Sequence, residues 1–284
     1  MNAMETLLVG LFDYAGLYPP ASLSLRTATD KYVEYACDRH ASALGRFIIN
    51  FDRLDELRAM VGDRLREFRL SVIVPDPDSL AVISREIKSG MPIEAVEMKF
   101  SDPGTIESVS KMIPESVNAY IEVPLDISGI AALQSISSAG MCAKIRMGGV
   151  IAEAFPSDGA VIEMLSALAR LRLAFKATAG LHHPIRSVQP LTYEPQSANS
   201  KMHGFANLLC AAAVLYFGGV EREAERVLQE VDGSAWRVDG NYLQWRHLKW
   251  DRKQLATVRR EFLIGIGTCS FDEPIHDMEA LGWL

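Results

Sequence analysis

The chain has 284 residues, 49% of them hydrophobic and 23% charged, with a formal net charge of −7. That balance suits a globular domain with a sizeable core and gives no general attraction to nucleic acid or to an anionic membrane. Four well-separated cysteines (Cys37, Cys142, Cys210, Cys269) include no CxxC pair, which speaks against a structural zinc site and a disulfide scaffold and makes a reduced cytoplasm the default.

In chain order, the first segment, Met1–Glu5, lacks the basic start and apolar stretch of a signal peptide. Residues 8–12 read as a first strand, followed by a long loop over 14–23 and a helix near 27–37. Between residues 45 and 185 the pattern is regular. Strands at 47–51, 70–74, 95–100, 119–123, 142–147 and 174–178 alternate with helical stretches at 54–61, 79–88, 105–112, 128–138 and 158–171. Such alternation implies right-handed βαβ units and a parallel sheet. A last strand at 262–266, or else the tail of a helix, precedes a helix at 272–281. Eight units close into a (β/α)8 TIM-barrel-like fold with a C-terminal elaboration; an open doubly wound sheet is the alternative. A single domain over 1–284 is expected, with a non-periodic insertion at 187–250. The insertion holds a Ser/Gln/Asn-rich loop, an apolar helix at 205–217 too short to span a bilayer, a charged helix at 221–231, and a hairpin of 235–238 and 242–245 around Asp239-Gly240-Asn241. It reads equally as an elaborated barrel edge and as a lid or subunit contact.

Four consecutive strands alternate apolar with polar residues, so one face of each is apolar and the other collects Glu97, Lys99, Glu122, Lys144, Arg146, Lys176 and Thr178. Parallel strands buried on both faces are near-continuous apolar runs, and charges buried without purpose are costly. The pattern therefore points to a shared polar site inside a barrel. Lys144 and Arg146 stand just before Gly148-Gly149, and Lys176 and Thr178 just before Gly180, at the strand ends where barrel active sites lie. The following loop adds His182 and His183, and Asn50 ends its own strand. Asp13 and Tyr14 read equally as site residues and as a turn former with a packed ring. Arg46 starts its strand and belongs to the opposite end. Gly265-Ile266-Gly267-Thr268 is a weak phosphate-loop candidate.

Four inward cations against two carboxylates suit a small anionic substrate. A lysine among other cations loses proton affinity and becomes a nucleophile toward carbonyls. Lys144 is the expected Schiff-base residue, Lys176 its cationic neighbour, and Glu97 and His183 the acid–base candidates. Arg146, Gly148, Gly149, Thr178, Gly180, Glu122, Lys99, His182 and Asn50 are the expected substrate contacts. The bland alternative is a self-neutralising layer of ion pairs. A metal shell from Glu97, Glu122, His182 or His183, and His203 has no supporting motif spacing and would compete with four cations, so neither metal nor cofactor is expected.

Lys144-Ile145-Arg146-Met147-Gly148 and Lys176-Ala177-Thr178-Ala179-Gly180 resemble the two Lys-x-x-x-Gly motifs on successive strands of the deoxyribose-phosphate aldolase type of class I aldolase. Val96-Glu97-Met98 resembles that family's strand with a catalytic acid, with Glu in place of Asp. The resemblance covers short segments between 95 and 180, and the family's Thr/Ser-rich first motif is replaced by Ile145-Arg146-Met147. It implies a barrel lyase in which the first lysine forms the Schiff base and the second tunes it. Two other readings stay open: an isomerase or epimerase using Glu97 and Glu122 as bases, with or without a metal, and a non-catalytic metabolite-binding barrel. No nucleic-acid or membrane partner is expected, and a homo-oligomer is left open.

Overall fold

The alternating segments fold as strands with their charged faces turned to a common axis. The computed structural model describes residues 2–284. Its strands are β1 (Phe12–Tyr14), β2 (Leu44–Asn50), β3 (Leu70–Ile73), β4 (Ile93–Lys99), β5 (Asn118–Val123), β6 (Cys142–Arg146), β7 (Phe175–Thr178), β8 (Ser187–Pro190), β9 (Asn199–Met202), β10 (Trp236–Val238), β11 (Tyr242–Trp245), β12 (Leu248–Asp251) and β13 (Leu263–Thr268). β1 through β7 follow one another around a closed barrel, and β13 closes it between β7 and β1. Every barrel pairing is parallel. The architecture is an α/β barrel of the (β/α)8 kind, as the repeating pattern predicts.

The outward residues of the strands, Val96, Ile121, Ile145 and Phe175 among them, are buried beneath the surrounding helices. Several helices start where a side chain can accept the first free N–H groups. Ser24 accepts from Thr27 N, Asp102 from Thr105 N, Asp126 from Ser128 and Gly129 N, and Asp251 forms a capping box with Gln254. The helix Phe205–Tyr216 is buried along its whole length, and the Phe205 ring meets Phe12 edge-on at 5.2 Å. Among the described residues no helix is long and apolar enough to cross a membrane.

Two features depart from the sequence reading, and one choice it left open is decided. Residues Ala3–Leu8 are helical, and the first strand begins only at Phe12. The apolar run of residues 6–12 spans the end of that helix and the start of the strand, so it does not define a strand by itself. In the insertion, the polar loop contains an antiparallel hairpin of β8 and β9, and β12 adds a third strand to the expected hairpin of β10 and β11. The segment around 265 is strand, preceded by the separate helix Arg252–Glu261. Gly265-Ile266-Gly267-Thr268 thus lies in β13 and is not a phosphate-binding loop. Its glycines leave interior space instead: a Cβ on Gly267 would come within 2.7 Å of Thr178 Oγ1.

Candidate active site

The barrel interior is organised around Glu97. Its Oε1 accepts from Lys176 Nζ at 2.7 Å and from Ser71 Oγ at 2.6 Å, and its Oε2 lies 2.7 Å from Lys144 Nζ. Lys144 Nζ also meets Glu122 Oε2 at 2.7 Å, and Lys176 Nζ meets Asp13 Oδ2 at 2.5 Å. The result is a chain Asp13–Lys176–Glu97–Lys144–Glu122 running through the barrel. Register explains it. Glu122, Lys144 and Lys176 are adjacent partners on β5, β6 and β7, and β13 presents Gly265 next to Lys176.

Asp13 enters the interior because β1 alternates like its neighbours. Phe12 and Tyr14 turn outward, and Tyr14 packs against Tyr32, Tyr35 and Phe47. The Asp13 carboxylate is seated on β2, where its Oδ1 accepts from Arg46 N at 2.6 Å. Gly45 makes that approach feasible, since a Cβ there would stand 2.2 Å from Asp13 Oδ1. Arg46 itself joins Arg69 on Glu94 at the barrel's other end. Asp13 is therefore a carboxylate of the buried layer beneath the cavity, a placement the sequence left undecided.

The electrostatics reverse one expectation. The two lysines do sit on adjacent strands, yet a carboxylate lies on both sides of each ammonium. Burial favours the neutral amine of Lys144, but Glu97 and Glu122 outweigh it and raise its pKa above the ordinary lysine value. Burial likewise opposes the charge on Lys176, and Asp13 with Glu97 raises its pKa. Burial favours the neutral acid of Glu97, but the two ammonium groups hold its carboxyl well below the usual carboxylate range. The lysines are not depressed by mutual repulsion. Nor is the inner layer cationic: it holds two ammonium groups and three carboxylates.

A cavity of about 530 Å³ opens above this layer at the C-terminal ends of the strands. Glu97, Glu122 and Lys144 form part of its floor, and Lys176, fully buried, does not reach it. Its wall and rim include Asn50, Lys99, Arg146, Gly149, Thr178, Gly180 and His182. Tyr18, from the loop after β1, donates its hydroxyl to Asn50 Oδ1 at 2.8 Å. Lys99 and Arg146 are exposed at the strand ends and make no ion pair among the described residues, although Arg146 Nε donates to Gly148 O at 3.0 Å. The cationic surplus read from the sequence is thus at the mouth and not in the interior. Gly148 lies just behind the wall, packed against Gly180 and the Phe155 ring.

The two histidines part ways. His182 lines the cavity, whereas His183 turns to Asp277, with Nδ1 and Oδ2 2.6 Å apart, and borders a smaller cleft beside the insertion hairpin. His203 bonds Pro156 O through Nε2, away from Glu97 and Glu122. Among the described residues no group of three or more His, Cys, Asp or Glu side chains is arranged to hold a metal ion. The sequence leaves Asp13 undecided and does not single out Tyr18, Cys269 or Glu273 for the site. Only Asp13 carried a signal, the polar residue between two aromatic ones in a strand-like run.

No protein-family model matches the chain, and a search of curated proteins found no significant match. Among solved structures, the chain is similar to the BexX/CysO complex of Amycolatopsis orientalis, at 13% identity over 60% of this chain and 70% of that one, with a TM-score of 0.38. A likeness of that degree carries no argument about chemistry. The class is set by the fold itself, a parallel (β/α)8 barrel with its polar layer under a C-terminal cavity. The aldolase resemblance of the two lysine motifs finds no support beyond that barrel.

Proposed function

We propose that this barrel is an enzyme acting on a small anionic carbonyl compound, a Schiff-base lyase of the aldolase kind with Lys144 as the nucleophile. One observation carries the reading: Lys144 is the member of the buried lysine pair that reaches the cavity, and its Nζ lies 2.7 Å from both Glu97 and Glu122. Lys176, closed off beneath, holds Glu97 in place as a permanent cation.

A lysine with a raised pKa attacks a carbonyl only after giving up a proton. Of the two carboxylates within hydrogen-bond reach, Glu122 is the half-buried one and pairs with Lys144 alone, which makes it the acceptor. The amine then forms a C–N bond to the carbonyl carbon. The carbonyl oxygen collects two protons and leaves as water, and the resulting iminium draws electrons from an adjacent C–C or C–H bond. Lys99 and Arg146 at the rim supply charge for a carboxylate or phosphate on the substrate.

The upward pKa of Lys144 favours a second reading. Here the ammonium stays charged and polarises the substrate carbonyl while Glu122 removes the α-proton, giving an isomerase or epimerase without a covalent bond. Borohydride reduction with a panel of small aldehydes and keto acids, followed by peptide mass mapping, separates the two. An adduct on Lys144 is expected. No adduct on Lys144 or Lys176 removes the lyase reading, and exchange of substrate α-protons with deuterated water in that case supports the isomerase.

A further inference from the structure

A second group of reactive side chains borders the same cavity, outside the lysine layer. β13 ends at Thr268, and the next residue, Cys269, lies at the cavity wall, 5% exposed. The turn that follows is fixed from both sides: Thr268 Oγ1 donates to Ser270 O at 2.9 Å, and Glu273 N donates to Ser270 Oγ at 3.2 Å. The loop after β7 brings His182 Nδ1 to 3.8 Å from Cys269 Sγ and 3.1 Å from Glu273 Oε2. The insertion adds Tyr193, whose hydroxyl is 3.7 Å from the same sulfur. The loop after β7 and the insertion thus both bring a side chain to a thiol at the end of β13.

We propose that Cys269, with His182 Nδ1 as its proton partner and the Glu273 carboxylate stabilising the imidazolium from 3.1 Å at that same nitrogen, is a nucleophilic thiol centre that captures the carbonyl group of a small anionic ligand in the cavity. This site is independent of an imine at Lys144. The thiol proton passes to His182. The thiolate sulfur forms a bond to the carbonyl carbon, the carbonyl π pair moves onto oxygen, and the imidazolium returns its proton to that oxygen. The product is a neutral thiohemiacetal, formed reversibly with no oxidant or further reactant. An acid group on the ligand matches the unpaired cations Lys99 and Arg146 at the mouth.

The surroundings suit this role. Burial opposes the charged imidazole of His182, yet the Cys269 sulfur and the Glu273 carboxylate outweigh it and push its pKa up to about 10. Thiols beside an imidazolium are the reactive ones, whereas thiols in apolar surroundings are inert. Cys210, inside the apolar helix Phe205–Tyr216, has its pKa raised by burial alone and serves as the contrast. Burial opposes the Glu273 carboxylate, yet His182, with smaller contributions from Tyr193 and His183, keeps that carboxyl below its ordinary value.

The test is alkylation of the whole protein with iodoacetamide at pH 7, read by peptide mass mapping. Although Cys37 is exposed and Cys269 buried, Cys269 is expected to react about tenfold faster, because the thiolate is the reacting species. His182→Gln should remove that advantage without changing the rate at Cys37. Glu273→Gln, half-buried in the first turn of the helix Asp272–Ala280, should reduce it in part, and is the variant to read if His182→Gln does not fold. Glyoxylate, a small anionic aldehyde, should slow alkylation of Cys269, and should still do so in Lys144→Met, where no imine can form at that position. A Cys269 rate equal to or below that of Cys37, or one unchanged in both the His182 and Glu273 variants, overturns the nucleophile. Absence of glyoxylate protection overturns the carbonyl capture. Neither result bears on borohydride trapping at Lys144.

Discussion

Glu97 and Lys176 are joined by a 2.7 Å contact between Oε1 and Nζ in the centre of the barrel, where neither is exposed by more than 1%. Two such groups in a low-dielectric interior are costly to desolvate, and their attraction repays that cost only when their other hydrogen-bonding positions are filled. Here they are filled by Asp13, Lys144 and Ser71. Removing one partner leaves the others charged and buried. Glu97→Gln is therefore expected to cost about 3–5 kcal/mol, measured as the difference in urea unfolding free energy from the wild type. A loss below about 1 kcal/mol, the range of exposed pairs, would mean the layer is hydrated and not closed.

The same pair fixes a pH dependence. The Glu97 carboxyl is held below its ordinary value in the fold. Its contribution is then fully present above the unfolded-state value of about 4.3 and falls as pH drops below it toward the folded value. The lysines are shifted upward, so their contribution is fully present below about 10.4 and is lost only as pH rises through the folded values. The stability difference between wild type and Glu97→Gln should be flat from about pH 5 to 9 and shrink below about pH 4. Unfolding series across pH 3–9 check this, and a difference that changes between pH 6 and 8 would point to another titrating group.

Much of this layer is legible from alternation alone. Glu97, Glu122, Lys144 and Lys176 occupy one parity on four strands, and parity survives any uncertainty in strand ends. Asp13 was harder to place because the helix Ala3–Leu8 and β1 share one apolar run, so the start of the strand was misplaced. The direction of the lysine pKa shifts was not legible. Adjacent strands bring Lys144 and Lys176 side by side in register, but the neighbours that decide the shift are those within 3 Å of each Nζ, and these come from β1, β4 and β5. The meeting of Cys269, His182 and Glu273 depends on loop conformations that no spacing encodes.

Gly45 offers a steric test of how Asp13 is seated. Any side chain there meets Asp13 Oδ1 and the backbone of β1. Gly45→Ala should destabilise by about 1–3 kcal/mol, the usual cost of overpacking, and displace Asp13 from Lys176. Thermal unfolding gives the first quantity. A variant as stable as the wild type would show that Asp13 can move without consequence.

One buried amide ties the start of the insertion to the end of its second helix. Asn207 accepts from Arg186 N at 2.8 Å and donates to Val227 O at 2.8 Å and Glu230 O at 2.9 Å. Replacing it by Leu leaves the Arg186 N–H and the Glu230 carbonyl without these partners, while Val227 O keeps Glu230 N at 3.3 Å. The expected cost is at least about 2 kcal/mol, since each buried unpaired group carries its own desolvation penalty. Amide exchange should rise first at Arg186, Val227 and their neighbours. Uniform exchange across the whole chain would show that Asn207 is no local tie.

Lys99 and Arg146 carry the last prediction. Both stand at the mouth of the cavity on strand ends that also present Glu122 and Lys144, and neither is neutralised by a carboxylate among the described residues. An anion entering the cavity therefore meets free positive charge at the rim before it meets the layer beneath, where three carboxylates face two ammonium groups. Inorganic phosphate is a suitable probe because it carries charge without a carbonyl. Lys99→Ala and Arg146→Ala should each weaken phosphate binding by about 1.5 kcal/mol, roughly tenfold in Kd, the scale of a charged hydrogen bond. Lys176→Met should act mainly on stability, because its ammonium is sealed beneath the floor. Calorimetric titration at low salt measures the affinities, and raising the ionic strength should compress the differences, since the rim is open to solvent. Phosphate affinity unchanged in both rim variants would place the anion elsewhere and leave the two cations without a role in binding.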